Sequence, residues 1–445
     1  MLLQQPLKVA PGINFPPGPR LPSAVQTIAW CSQPYKLLKL CQRRYGDIFS
    51  IRLVGNRIHV VVSEPELIGR IFGGLGATMP LGPGNDELRP LLGNSSLFVL
   101  EGQQHREHRK IIGGIFRRGA LSEHVGLIWQ AVEKLELPDS TGSVRILPAL
   151  RRIGIAIITG LVFGLSEGPR FGRLTGSIDE LIQLVNGPLM YFVLLQKDLG
   201  GWSPGGRIWA AKRALLELIR SEVQHRRSNG FLDTPNLLDS LLRAGLPDEA
   251  LADEVLTVLL AGHDPTTAAT AWALYWIHRD ARVTKRLLEE LGAVNGNPAR
   301  VLECTYLDAV CQETLRLCPI VPAIERVIRE PITIAGYTLP PGIRLTPCIY
   351  LAHQRPDVYP DPEVFSPERF FNNRFSPETL LPFGGGMRRC IGSEFAPYQM
   401  KLVLASLLSR FAFKLDRGKP VSPVLRGATI MPSASLAFEV RRVAG

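Results

Sequence analysis

The 445 residues include 51 Lys and Arg against 40 Asp and Glu, a formal charge of +11, with 45% hydrophobic and 20% charged residues. That balance excludes a disordered or fibrous chain and allows a sizeable buried core. The basic residues are dispersed, with only small clusters such as Arg226-Arg227 and Arg388-Arg389 and no nucleic-acid module, so the charge suits an acidic protein partner or a solvated surface rather than nucleic acid.

At the N-terminus, Met1-Leu2-Leu3-Gln4-Gln5-Pro6 lacks a basic region followed by an apolar stretch, and the Pro-rich run at 15–19 reads as a stiff lead-in to the globular body. A helix is predicted around Tyr35 to Leu40. Strands at 49–53 and 58–62, separated by Gly55-Asn56, form a hairpin signal. From 121 to 291 helical patterns dominate, broken by a Gly/Pro-rich connection at 200–206. Within them, 247–280 reads as one long helix, with Leu251, Val255, Val258 and Leu259 on one stripe; at ~1.5 Å per residue it spans roughly 45 to 50 Å.

Further along, Thr305 to Asp308 reads as a capping box that opens another helix, and short strands at 332–334 and 344–346 flank Pro340-Pro341-Gly342. The apolar run at 153–165 is shorter than the ~18 to 20 residues that cross a bilayer, and His263-Asp264-Pro265 interrupts the run at 255–277. Seven cysteines at 31, 41, 304, 311, 318, 348 and 390, an odd number without zinc-site spacing, fit a reduced compartment. The expectation is a cytoplasmic enzyme without a membrane anchor, mainly α with small β-sheets, forming one domain over 1–445.

The densest chemical signal is Phe383-Gly384-Gly385-Gly386-Met387-Arg388-Arg389-Cys390-Ile391-Gly392, followed by a helical pattern through Met400, Val403, Leu404, Leu407 and Phe411. Glycines permit tight turns and close approach to a flat ligand, and amide N–H groups at a following helix favour a thiolate. The run resembles the haem-binding loop of the cytochrome P450 family, whose pattern is met at Phe383, Gly386, Arg388, Cys390 and Gly392. The resemblance implies that Cys390 is the proximal iron ligand of haem b, that Phe383 packs near its sulfur, and that Arg388 reaches a haem propionate.

Other segments match the family in order. Glu313-Thr314-Leu315-Arg316 and Pro367-Glu368-Arg369-Phe370 imply a buried structural network of Glu313, Arg316 and Arg369, although an i, i+3 ion pair alone is usually a surface feature. His105 and Arg109, four apart, can face one anion, and with Arg326 and Arg388 they match propionate-binding positions; the bland alternative for the first pair is a solvated helix face. Ala261-Gly262-His263-Asp264-Pro265-Thr266-Thr267 resembles the oxygen-activation segment. There, small Ala261 and Gly262 leave room for dioxygen, and Asp264 is a proton-relay candidate or, alternatively, a buried structural acid.

The family's usual alcohol after the acid is replaced by Pro265, which also releases the Ala261 carbonyl from its helical bond, so Thr266 substitutes only if the kink turns it toward oxygen. The implied activity is monooxygenation: one atom of dioxygen enters an unactivated C–H bond of a lipophilic small molecule. Electrons come from a separate ferredoxin or flavodoxin with its reductase, and the enzyme is a monomer. Pocket positions matched by resemblance are Phe98, Met190, Tyr191, Phe192, Val321, Ala323 and Ile430, each also compatible with core packing. From Gly336-Tyr337-Thr338-Leu339-Pro340 onward the chain looks like bacterial, especially cyanobacterial, members acting on fatty acids and terpenes. A peroxide-using or peroxide-rearranging haem-thiolate enzyme, favoured by Pro265, and a non-catalytic carrier of apolar ligands are the rival readings.

Overall fold

The computed structural model describes residues 14–55, 57–73, 81–82, 84–137, 140–186, 197–294 and 296–443. Among them, α-helices make the body and four small sheets sit at its margins. The predicted hairpin is present: β1 (Ile48–Leu53) and β2 (Arg57–Val62) pair antiparallel, closing at Leu53 and Arg57. Strand β2 lies between two apolar clusters, and its period of two divides them. Val60 and Val62 join Leu67, Ile68 and Ile71 of α2 (Pro65–Phe72), while Val61 joins Leu38 and Cys41 of α1 (Pro34–Tyr45).

The sheet is completed by strands distant in sequence. Residues Arg344–Pro347 (β5) run parallel to β2, Arg326–Ile328 (β4) pairs with β5, and Leu81–Gly82 (β3) forms the far edge. The described part of the Pro-rich lead-in is docked on this sheet: Ser50 donates its N–H to Pro17 O and its hydroxyl to Pro16 O. A further two-stranded ribbon, Pro423–Arg426 with Thr429–Pro432, stands against the long-helix region.

Helices α3 (Gly102–Gly113), α4 (Leu147–Phe163) and α5 (Gly168–Val185) precede the region read as one long helix. That region is two segments, α6 (Asp248–Gly262) and α7 (Asp264–Arg279), meeting at His263. Pro265 supplies no N–H, so the ladder is interrupted before it and resumes with Thr267 N–H donating to His263 O at 3.0 Å. Helix α7 is buried nearly all round; its Ala268, Ala269, Ala271 and Ala273 let α4, α9 (Thr305–Leu317) and α10 (Phe395–Arg410) approach closely. Helix α8 (Ala281–Ala293) corrects one expectation. Thr305 is the first helical residue of α9, not its cap, and the opening amides of Tyr306 and Leu307 donate instead to Glu290 of α8 at 2.8 and 2.9 Å.

Candidate haem site and distal helix

The loop bearing Cys390 is shaped by close approach to α2. Gly384 and Gly386 both have φ of +67°, and a Cβ at Gly386 would lie 2.1 Å from Phe72 O, so the loop's glycine requirement is met by protein backbone. Cys390 N–H donates to Phe383 O at 3.0 Å, closing the loop on itself. The thiol stays accessible although protein surrounds it on most sides, so it sits on the floor of a recess. Burial pushes this thiol up; the Gly392 N–H and the charges of Arg109 and Arg389 oppose it. The amide comes from the turn residue Gly392 and not from α10, which begins only at Phe395.

The four proposed propionate positions come together as a like-charge cluster. Arg388 donates to the carbonyls of Leu97 and Leu100, Arg109 to Arg389 O at 2.6 Å, and Arg326 to Glu325 O at 2.9 Å. Burial, then the neighbouring charge of Arg388, lowers Arg326 to about 10, and burial followed by Arg388 and Arg109 lowers His105 to about 4. At neutral pH His105 is therefore an uncharged hydrogen-bonding ring among three cations. Such a cluster is stabilised by anions, and a pair of carboxylates would satisfy it. Among the described residues no three His, Cys, Asp or Glu side chains converge on one point.

Behind the loop, Glu313 and Arg316 are fully buried and paired twice, Oε2 to Nε at 2.6 Å and Oε1 to an Nη at 2.9 Å. Arg369 Nε reaches Glu313 Oε1 at 2.9 Å, and Ser366 N–H donates to the same oxygen at 2.9 Å. The guanidinium of Arg316 also donates to His353 O at 2.8 Å and Pro362 O at 2.9 Å. His353 carries this network to the loop, a connection that sequence reasoning missed because a lone histidine beside Ala352 has no pattern. Leu381 N–H can only donate, so His353 Nε2 accepts it at 2.8 Å and the ring proton sits on Nδ1, 3.1 Å from Arg316 O.

On the opposite helix the expected residues are only partly arranged as the sequence suggested. Gly262 faces α4: a Cβ there would meet Ile158 Cδ1 at 2.6 Å, so its smallness serves helix packing. Ala261, by contrast, is exposed on a largely buried helix. Asp264 Oδ1 lies 2.9 Å from His263 Nε2, and Asn186, at the end of α5, donates to Oδ2. Burial pushes the Asp264 carboxyl up, but His263, Asn186 and Arg151 together hold it below the ordinary aspartate value. Thr266 Oγ1 donates to His263 O at 2.9 Å and accepts from Gln399 of α10 at 3.3 Å, so its hydroxyl is engaged by backbone and by the helix after Cys390.

Of the pocket positions, Phe98 is exposed, Val321 is half-buried, and Ala323 packs beside the α1 cluster. Ile430 is fully buried, its carbonyl accepting from Trp272 Nε1 at 3.1 Å. Met190, Tyr191 and Phe192 lie outside the described residues. No single described helix is long and apolar enough to cross a membrane.

The family model for cytochrome P450 matches residues 16–439. The chain is 32% identical to cytochrome P450 135B1 of Mycobacterium tuberculosis over 442 positions, covering 96% of this chain and 92% of that one. It is 27% identical to cytochrome P450 138 of Mycobacterium bovis, covering 97% of each. A solved structure of a retinoic-acid-bound cyanobacterial P450, CYP120A1, superposes with a TM-score of 0.83 at 25% identity, covering 97% of this chain and 100% of that one. Sequence, fold and the Cys390 loop agree: the chain belongs to the cytochrome P450 family of haem-thiolate monooxygenases, whose cofactor is haem b.

Proposed function

We propose that this enzyme oxygenates a lipophilic small molecule on a haem b held by Cys390, with His105, Arg109, Arg326 and Arg388 taking the propionates. The observation that carries the reading is the like-charge cluster gathered beside an accessible, recessed thiol. Bound haem supplies dioxygen binding and activation, helped by electron donation from the thiolate. One turnover consumes dioxygen, two electrons and two protons, and releases hydroxylated product and water.

The chain's own residues orient, exclude water and move protons. Phe98, Val321, Ala323 and Ile430 are the described positions among those that the family resemblance assigns to an apolar substrate pocket, in keeping with the retinoic acid named for the cyanobacterial relative. Asp264, held as a carboxylate, is the proton carrier on the distal helix. A separate ferredoxin or flavodoxin supplies electrons, and the excess positive charge suits an acidic donor.

The deciding experiment is the absorption spectrum of the reduced, carbon-monoxide-bound protein. The thiolate-type red-shifted Soret band is expected in wild type and lost in Cys390→Ser; a histidine-type band in wild type would overturn the assignment. Peroxide-driven chemistry is the second reading, favoured by Pro265 and by the engagement of the Thr266 hydroxyl away from free space.

A further inference from the structure

Residues 93–100, between the short helix Arg89–Leu92 and α3, are held from two sides. From α6, Asp253 Oδ2 accepts Ser95 N–H at 3.0 Å, Glu254 Oε2 accepts Leu97 N–H at 3.0 Å, and Thr257 Oγ1 donates to Ser96 Oγ at 2.7 Å. These residues, at i, i+1 and i+4, hold a stretch that pairs with no strand among the described residues. Gly93 is required beside them: its φ is +89°, and a Cβ would lie 1.9 Å from Asp253 Oδ1. From the thiolate loop, Arg388 donates to the carbonyls of Leu97, Phe98 and Leu100.

Glu254 is the tightest point of this grip. It is fully buried, and its second oxygen lies 2.7 Å from His108 Nδ1, on the same helix as His105 and Arg109. A buried carboxylate with that ring and one amide as partners fixes Leu97, and Phe98, exposed on the next position, follows. The geometry points to Glu254 as a positioning residue that sets substrate specificity by placing Phe98. This rests on the reading of Phe98 as a pocket residue. Burial pushes the Glu254 carboxyl up, opposed by His108 and the Leu97 amide, so the charge depends on those partners being in place.

The test uses the haem-loaded protein and a panel of apolar ligands of graded length, read by the spin-state shift on binding, with amide hydrogen exchange across 93–100. Glu254→Ala accelerates exchange at Ser95 and Leu97 and weakens, about tenfold, those ligands that Phe98→Ala also weakens, while the carbon-monoxide spectrum stays thiolate-type. Glu254→Gln, which keeps an acceptor for Leu97, restores protection and affinity. If Glu254→Ala does not accumulate as folded protein, His108→Gln gives the same pattern at about threefold. Unchanged affinities in Glu254→Ala for ligands that Phe98→Ala weakens would overturn the proposal and leave the pocket reading standing. If Phe98→Ala shifts no ligand, the pocket reading fails and the proposal falls with it.

Discussion

The network behind the Cys390 loop and the break in the distal helix are both buried and polar, but they are satisfied to very different degrees. Every Glu313 and Arg316 contact described above has a short, directed partner, and His353 uses both ring nitrogens. At the helix break, Thr267 Oγ1 and both ring nitrogens of His263 have no directed hydrogen bond among the described residues, although His263 Nε2 stands 2.9 Å from Asp264. A complete network rigidifies; an incomplete one costs stability unless ordered water or function fills it. The network behind the Cys390 loop is built as a foundation, and the helix break keeps polar capacity in reserve beside Asp264.

The harshest way to break the contrast is Glu313→Ala. It leaves Arg316 and Arg369 buried without their carboxylate, at a cost of about 3–5 kcal/mol. A fall in denaturation midpoint and in haem-to-protein ratio is expected; a stable, fully loaded variant would remove the foundation role.

Acid sharpens the contrast next. Burial, then the Arg316 charge, pushes His353 down to about 3, far below its unfolded value of 6.5. Between those values the unfolded chain binds a proton that the folded one does not. The His353 contribution is therefore intact above pH 6.5 and lost as pH falls toward 3, with a slope approaching about 1.4 kcal/mol per pH unit. His59 and His105, both lowered to about 4, add to the acid sensitivity, so the measurement compares wild type with His353→Asn, whose stability should fall less steeply over this window.

The smallest effect belongs to the distal side. Pro265→Thr restores a hydroxyl beside Asp264 and should raise product formed per electron by a few-fold, about 0.5–1 kcal/mol in partitioning. Thr266→Ala, which removes a hydroxyl already engaged with His263 O and Gln399, should leave coupling nearly unchanged. A collapse of coupling in Thr266→Ala would mean that this hydroxyl had taken over proton delivery. Hydrogen peroxide and product assayed together read both variants.

What can be read from the sequence follows how locally each feature is encoded. The β1–β2 hairpin and the Glu313–Arg316 pair depend on residues a few positions apart, and the pairing in both is local, as are the positive φ angles of Gly384 and Gly386. The apolar stripe of the long helix continues through 263 and outweighs the missing amide of Pro265, so the pattern joins two segments that the backbone separates. The capping box misleads because Glu290, on another helix, supplies the acceptor. His353 and Glu254 act across tens to more than a hundred residues, and no local period reports such a partner.

The parallel pairing of β2 with β5 has a consequence for how the chain is made. His59 faces Thr346, 287 positions later, so at roughly 5–20 residues per second the first hairpin leaves the ribosome tens of seconds before its sheet partner. The apolar edge of β2 must be shielded during that interval, by α2 from within the nascent chain or by a chaperone from outside. His105 and Arg109 emerge early, whereas Arg326, Arg388 and Cys390 are delivered only in the last third. On the proposed assignment of these residues, cofactor capture would belong to the end of synthesis, when thiol and arginines first coexist.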